Sequence, residues 1–274
     1  MTSLFSSSLP KTALAWCGRA ARGVGLAYAL VCGVLYLGQD SLILHPPPKA
    51  SPAGATPAWL VFEPSASPKA TVVVFHGNAG GAKDRGYFAK PLTALGYRVV
   101  LVEYPGFDGR TGDASIEAIL SQAPHDFEEI HKAYPVEPVV LMGESFGAGV
   151  AAQVAAQQKA KVCRLVAITP WHSLASLAQE LMPYFPVSLL LHQEMDSKKA
   201  LLEYGGPVTI VGAVRDTVIP VHHTKKLAAS IPEAQVVLLP ESGHNNWGTH
   251  VSLSDWQQWL LPCRSTDKST PNKP

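Results

Sequence analysis

The chain has 274 residues, 47% hydrophobic and 16% charged, with a formal net charge of +1. That balance fits one larger globular domain plus an accessory segment, and it provides no bulk field to select nucleic acid or an acidic partner. The four cysteines are scattered, with no CxxC pair and no Cys/His cluster, which argues against a disulfide framework and a zinc site.

Lys11, Arg19 and Arg22 precede an uncharged run, Gly23 to Gly38, which Gln39 and Asp40 interrupt before a second apolar stretch, Ser41 to Leu44. Sixteen residues of helix reach about 24 Å, short of a ~30 Å hydrocarbon core unless flanking residues or bilayer thinning help. The expectation is a single-pass anchor within residues 1–45. Its basic flank predicts a cytoplasmic N-terminus and a catalytic body on the outer side, periplasmic, extracellular or lumenal. Competing readings are a cleaved signal peptide, although Ala27-Tyr28-Ala29 falls inside the apolar run, and a buried or amphipathic helix of a soluble protein. Residues 46–56, with Pro46-Pro47-Pro48, read as a stiff linker. The body is expected over 57–263, and a polar tail over 264–274. Cys163 lies in an apolar run and reads as a buried thiol.

The body alternates two patterns. Short β-branched or aliphatic runs, at Trp59–Phe62, Thr71–Phe75, Tyr97–Glu103, Pro138–Gly143, Arg164–Ile168, Pro207–Val211 and Gln235–Leu239, read as strands. Between and after them, Arg85–Leu95, Ser115–Tyr134, Ala148–Gln158, Val221–Ile231 and Asn246–Leu261 read as helices. Such alternation predicts an α/β fold with a mostly parallel central sheet and helices on both faces. Chemistry in such sheets gathers at the carboxyl ends of the strands.

Four loops at those ends hold suitable residues. Gly143-Glu144-Ser145-Phe146-Gly147 joins a strand to a helix, an arrangement that puts a serine on a sharp turn at a helix N-terminus. His76-Gly77-Asn78-Ala79-Gly80-Gly81 is a glycine-rich turn whose backbone can approach a substrate oxygen. With the serine motif it predicts an oxyanion hole from the Asn78 and Phe146 N–H groups; alone it would read as an ordinary tight turn. Asp216 lies in a polar turn where an aspartate can orient a histidine or merely cap a helix. His244 follows the last strand in a glycine-containing loop and is the candidate base among ten histidines. His222 and His223 read as the start of a solvated helix. The order Ser145, Asp216, His244 is the one expected on the α/β-hydrolase architecture.

The chain at this point resembles the α/β-hydrolase superfamily, and within it the membrane-anchored Bem46-like group that includes the α/β-hydrolase domain-containing 12 and 13 proteins. The matching pieces are HGNAG at 76–80, VEYPGFDGRTG at 102–112, GESFGAG at 143–149, ITPWHSLASLA at 168–178, IVGAVRDTVIP at 210–220 and SGHNNW at 242–247. The resemblance implies Ser145 as nucleophile, Asp216 as acid and His244 as base. Tyr104, in the tyrosine- and glycine-rich loop, and Trp171 and His172, at the start of the cap segment, are candidate substrate contacts. Phe146 and Arg215 depart from the residues commoner in the group and remove no catalytic group.

The expected activity is a two-step acyl transfer from an ester or thioester to water, without metal or organic cofactor. Residues 171–204 carry many large apolar side chains and read as a short cap, which suggests a small-molecule acyl ester or a lipid; simple packing on the sheet is the plainer alternative. Asp196 reads as a turn or helix start after the cap. A serine peptidase on the same fold and a non-catalytic anchored binding protein are the competing functional readings. The chain says nothing of its oligomeric state.

Overall fold

The computed structural model describes residues 11–48, 52 and 54–260. Helix α1 (Lys11–Ile43) leads into β1 (Trp59–Phe62) and β2 (Thr71–Phe75). Then follow a 3-10 turn at Ala82–Arg85, α2 (Gly86–Ala94), β3 (Arg98–Val102), α3 (Ile116–Ala133), β4 (Val139–Glu144), α4 (Phe146–Gln157) and β5 (Val162–Ile168). The cap segment holds α5 (Leu174–Leu181), α6 (Val187–Leu190) and α7 (Ser197–Tyr204). The chain returns through β6 (Val208–Ala213), α8 (Val221–Ser230), β7 (Gln235–Leu239), a 3-10 turn at Trp247–His250 and α9 (Leu253–Trp259).

The seven strands form one sheet in the order β1-β3-β2-β4-β5-β6-β7. Only β1 runs antiparallel, against β3; the other pairs are parallel. Every residue of β2, β3, β4 and β6 is buried, as expected of strands covered on both faces. The pleat sends Val73, Phe75 and Leu141 to the face packed by α3, α4 and α7. It sends Val72, Val74 and Met142 to the opposite face, with Phe88, Trp256 and Trp259. Each fully buried large side chain contributes about 1.5–3 kcal/mol of hydrophobic stabilisation. Edge strand β7 alternates between partly buried and exposed residues. The expected α/β-hydrolase architecture is the observed one.

Four local expectations need correction. The last helix does not run unbroken from Asn246: a 3-10 turn comes first, and α9 begins afresh where Ser252 and Asp255 form a capping box. Cys163 is disulfide-bonded and not a buried thiol. His223 is buried, and only its neighbour His222 fits a solvated face. Gln39 and Asp40 do not break α1, because the body supplies partners for both. Asp40 Oδ1 accepts from the first N–H of α3, at Ile116 (3.0 Å). Gln39 donates to Leu190 O (3.0 Å) and accepts from His192 N (2.9 Å).

α1 therefore has two parts. Its Trp16–Ile43 stretch is long and apolar enough to cross a membrane, with mean hydropathy 1.6. Its last turns dock on the body: Leu44 is buried, and His45 bridges to Ala79 and donates to Asn78 O (2.8 Å). This docking precedes the proline run, so Pro46–Pro48 do not hold α1 off the body. Residues 264–274, expected as a tail, and Cys263 lie outside the described residues.

Candidate active site

Strand β4 continues through Glu144 and delivers Ser145 at φ 54°, ψ −119°, a backbone region that L-residues other than glycine avoid. The motif's glycines explain how that turn closes. A Cβ on Gly143 would stand 2.1 Å from Gly147 O, and one on Gly147 would stand 2.1 Å from Phe75 O. Only residues without Cβ let β2, β4 and α4 approach this closely.

Ser145 Oγ lies 2.9 Å from His244 Nε2, and His244 Nδ1 lies 2.7 Å from Asp216 Oδ2. Asp216 is held in turn: its Oδ1 accepts from the N–H groups of Val218 (2.8 Å) and Ile219 (2.7 Å). Its side chain is 1% exposed and that of His244 11%. The arrangement can move a proton from Ser145 to His244 while Asp216 fixes the imidazole tautomer and stabilises the imidazolium. Three loops that are far apart in sequence thus meet at hydrogen-bonding distance.

Asn78 and Phe146 flank the serine. Phe146 opens α4, so its N–H has no acceptor within the helix. The Asn78 turn is tied to the end of α1, with Asn78 Nδ2 donating to Ile43 O (2.6 Å) and His45 N donating to Asn78 O (2.8 Å). Beneath this turn His76 faces Glu103, at 3.1 Å from Nε2 to Oε1. Glu103 Oε2 also accepts from Ala82 N (2.9 Å). The layer is fully buried and supports the glycine-rich turn from below.

Two cavities meet at Ser145. The wider, about 930 Å³, is bounded by the Gly77–Ala79 turn, α2 and the loop from His244 to Val251. Its wall carries a polar network in which Glu144 receives Arg85 (2.6 Å) and the Tyr87 hydroxyl (2.5 Å). Burial, and then the Glu144 carboxylate, push the Tyr87 phenol far above its ordinary range. The narrower cavity, about 230 Å³, lies between the cap and α1 and is almost wholly apolar.

Of the residues expected to touch substrate, Trp171 lines the narrow cavity. Tyr104 does not fit that expectation: it is 1% exposed, lines neither cavity, and donates to His76 O (2.7 Å). Its ring is drawn into an aromatic cluster with Phe107 and Phe146. His172 also lines neither cavity; burial, followed by the charge on Lys226, lowers its pKa. Asp196 caps α7, accepting from Lys199 N (2.9 Å). Arg85, Tyr87 and the α1 residues of the narrow cavity escaped sequence reasoning, since no local pattern relates them to the serine loop. Glu144 was legible as the residue before the serine, but its two partners were not.

A family model describing the alpha/beta hydrolase fold matches residues 70–189. An uncharacterized protein of Mycobacterium tuberculosis is 29% identical over 191 residues, covering 69% of this chain and 67% of that one. The lysophosphatidylserine lipase ABHD12 of Xenopus tropicalis is 27% identical over 196 residues, 62% of this chain and 50% of its own length. Among solved structures, the Pyrococcus furiosus esterase Pf2001 superposes with a TM-score of 0.57 at 17% identity, covering 79% of this chain and 100% of that one. The Paleococcus ferrophilus monoacylglycerol lipase does so at 0.54 and 17%, covering 72% and 96%. At these identities the structural likeness establishes the fold. Taken with the family match and the ABHD12 relatives, it supports an α/β-hydrolase similar to the Bem46-like group.

Proposed function

We propose that this protein is a serine hydrolase that cleaves an acyl ester, with a lipid or lipid-like amphiphile as substrate class. The observation that carries the reading is the Asp216–His244–Ser145 chain of hydrogen bonds, 2.7 and 2.9 Å long, where a polar cleft meets an apolar pocket. An amphiphilic ester needs such a junction. Its acyl chain fits the apolar side, its alcohol portion fits the polar side, and its carbonyl carbon lies between them.

Ser145 Oγ attacks the carbonyl carbon as His244 Nε2 takes the hydroxyl proton, giving a tetrahedral oxyanion held by the N–H groups of Asn78 and Phe146. Collapse breaks the ester C–O bond, and His244 returns its proton to the leaving alcohol. Water then attacks the acyl-serine, again through His244, releasing the carboxylic acid and regenerating Ser145. The reaction balances as ester plus water to acid plus alcohol, and each step uses a group of this chain.

The ABHD12 relatives, named as lysophosphatidylserine lipases, and the esterase and lipase among the fold neighbours support the ester class. α1, read as a single span with its N-terminus cytoplasmic and the body on the outer side, would set the enzyme at a bilayer surface. Residue accessibility to a membrane-impermeant label on either side of α1 tests that topology. Ser145→Ala is expected to lower kcat on p-nitrophenyl esters by on the order of 10³-fold or more, with the fold retained. A fluorophosphonate probe is expected to label the wild-type chain at Ser145. Folded wild-type protein that takes up no label, or a Ser145→Ala variant with near-full activity, would sink the proposal. Faster turnover of aminoacyl-anilides than of any ester would replace the substrate class by a peptide bond.

A further inference from the structure

The narrow cavity has a wall that the sequence placed in the anchor. Leu35, Gln39, Leu42 and Ile43 of α1 line it opposite the cap. Their spacing of four, three and one residues forms one stripe of a helix. Ile43 is also where α1 is tied to the Asn78 turn. Leu35 lies eight residues earlier, about 12 Å further along the axis. The cavity therefore follows α1 away from Ser145 and back along the apolar span.

The cap is fastened to the same helix. Gln39, 7% exposed, holds Leu190 O and His192 N of the cap. The Tyr36 ring meets His192 edge-on at 4.2 Å. Further out, Tyr28 stacks on Phe185 at 5.6 Å and donates to Tyr184 O (2.8 Å). The cap also exposes Leu181, Tyr184 and Leu189.

We infer that α1 is one wall of the acyl-binding site, and that the pocket takes a single hydrocarbon chain lying along this helix. The inference rests on the ester-hydrolase reading above and adds which part of the substrate is held, and by what. The polar groups of the Gln39 amide and the Asn78 side chain are already engaged by protein. What faces the cavity is hydrocarbon, which selects hydrocarbon. Its volume of about 230 Å³ is on the order of eight small groups, taking ~30 Å³ for a water-sized group. That is room for one chain of medium length. The occupant is therefore the acyl chain of the ester that is cleaved, with its carbonyl at Ser145.

The test uses the full-length chain in nanodiscs, with Leu35→Trp and Leu42→Trp to fill the pocket and Leu35→Ala to widen it. Leu30→Trp is the control, on an exposed position of α1 that lines neither cavity. The readout is the ratio of kcat/KM for p-nitrophenyl dodecanoate over butyrate. Loss of room for about two methylenes lowers that ratio about tenfold in the tryptophan variants. Leu35→Ala shifts the preferred chain length upward, and Leu30→Trp leaves the ratio unchanged. A second readout needs no turnover: binding of dansyl-undecanoate to the same variants carrying Ser145→Ala. Weakened binding in the Leu35→Trp form supports the pocket even if no ester is hydrolysed, so a failed hydrolase reading is told apart from a failed pocket. An unaltered ratio together with unaltered fatty-acid affinity in Leu35→Trp would overturn the inference.

Discussion

The wide cleft at Ser145 is walled by loops at the ends of parallel strands and by α2, whereas the narrow pocket is walled by α1 and the cap. The first is built on a sheet whose central strands are fully buried. Its polar groups are tied to one another through Arg85, Glu144 and Tyr87, so they are oriented before a substrate arrives. The second has walls joined by a few hydrogen bonds and ring contacts between segments about 150 residues apart. Recognition of charge requires fixed groups, and recognition of hydrocarbon requires only shape and dryness. One active site can therefore combine a rigid half with an adaptable half.

A change at the junction should strike both halves equally. Asp216→Asn preserves the shape and can still accept from Val218 and Ile219, but its amide then presents N–H to His244 Nδ1 and favours the wrong tautomer. The expected loss in kcat is about 10⁴-fold, in parallel for short and long esters and with little change in Tm. A loss confined to one chain length would show that the two cavities do not share a reacting centre.

The polar half is addressed at Arg85. Arg85→Ala leaves Glu144, 9% exposed, with Tyr87 as its one side-chain partner among the described residues. A destabilisation of about 2–3 kcal/mol is expected, with KM raised for esters of polar alcohols and chain-length preference unmoved. Urea unfolding and a series of alcohol groups on one acyl chain check both parts. The apolar half is addressed at Gln39. Gln39→Ala strips Leu190 O and His192 N of a partner and should cost about 1–2 kcal/mol. The opposite kinetic pattern is expected, with chain-length preference blurred and headgroup discrimination kept. If both variants altered both preferences, the division of labour would fall.

The smallest effect concerns the far side of the cap. Glu180 of α5 meets His222 (2.8 Å) and His223 (3.1 Å) of α8. Burial lowers the His223 pKa despite the Glu180 hydrogen bond, so the folded state favours its neutral form. An unfolded imidazole titrates near about 6.5. This contribution is complete above that value and declines as pH falls below it, because the unfolded chain then binds the extra proton. The hydrogen bond from His222 lowers the Glu180 pKa; that contribution is present above the ordinary carboxylate range and is lost at still lower pH. Tm should drop by a few degrees from pH 7 to pH 5, and His223→Gln should flatten the drop. An unchanged slope in that variant would remove His223 from the account.

Much of this molecule was legible in one dimension. Burial on both faces makes strands such as Val72–Phe75 continuous apolar runs, and steric exclusion of a Cβ makes Gly143 and Gly147 signs of a tight elbow. Cap signals are equally local, as Asp196 and Ser115 show. The start of α9 was missed because its Ser252 capping box interrupts an otherwise helical pattern. Tyr104 was misassigned because a tyrosine in a glycine-rich loop says nothing of which way its ring turns. The surrounding Phe107 and Phe146 decided that.

Local chemistry along the chain thus determined the element types, the sheet class and the serine, aspartate and histidine loops, because backbone sterics and burial periodicity act over a few residues. Tertiary structure alone decided that the end of α1 docks on the body and the cap. Asp40 and Gln39 look like interruptions of an apolar run until α3 and the cap supply their partners. The wall they help to build exists only where segments remote in sequence satisfy each other's polar groups and exclude water together.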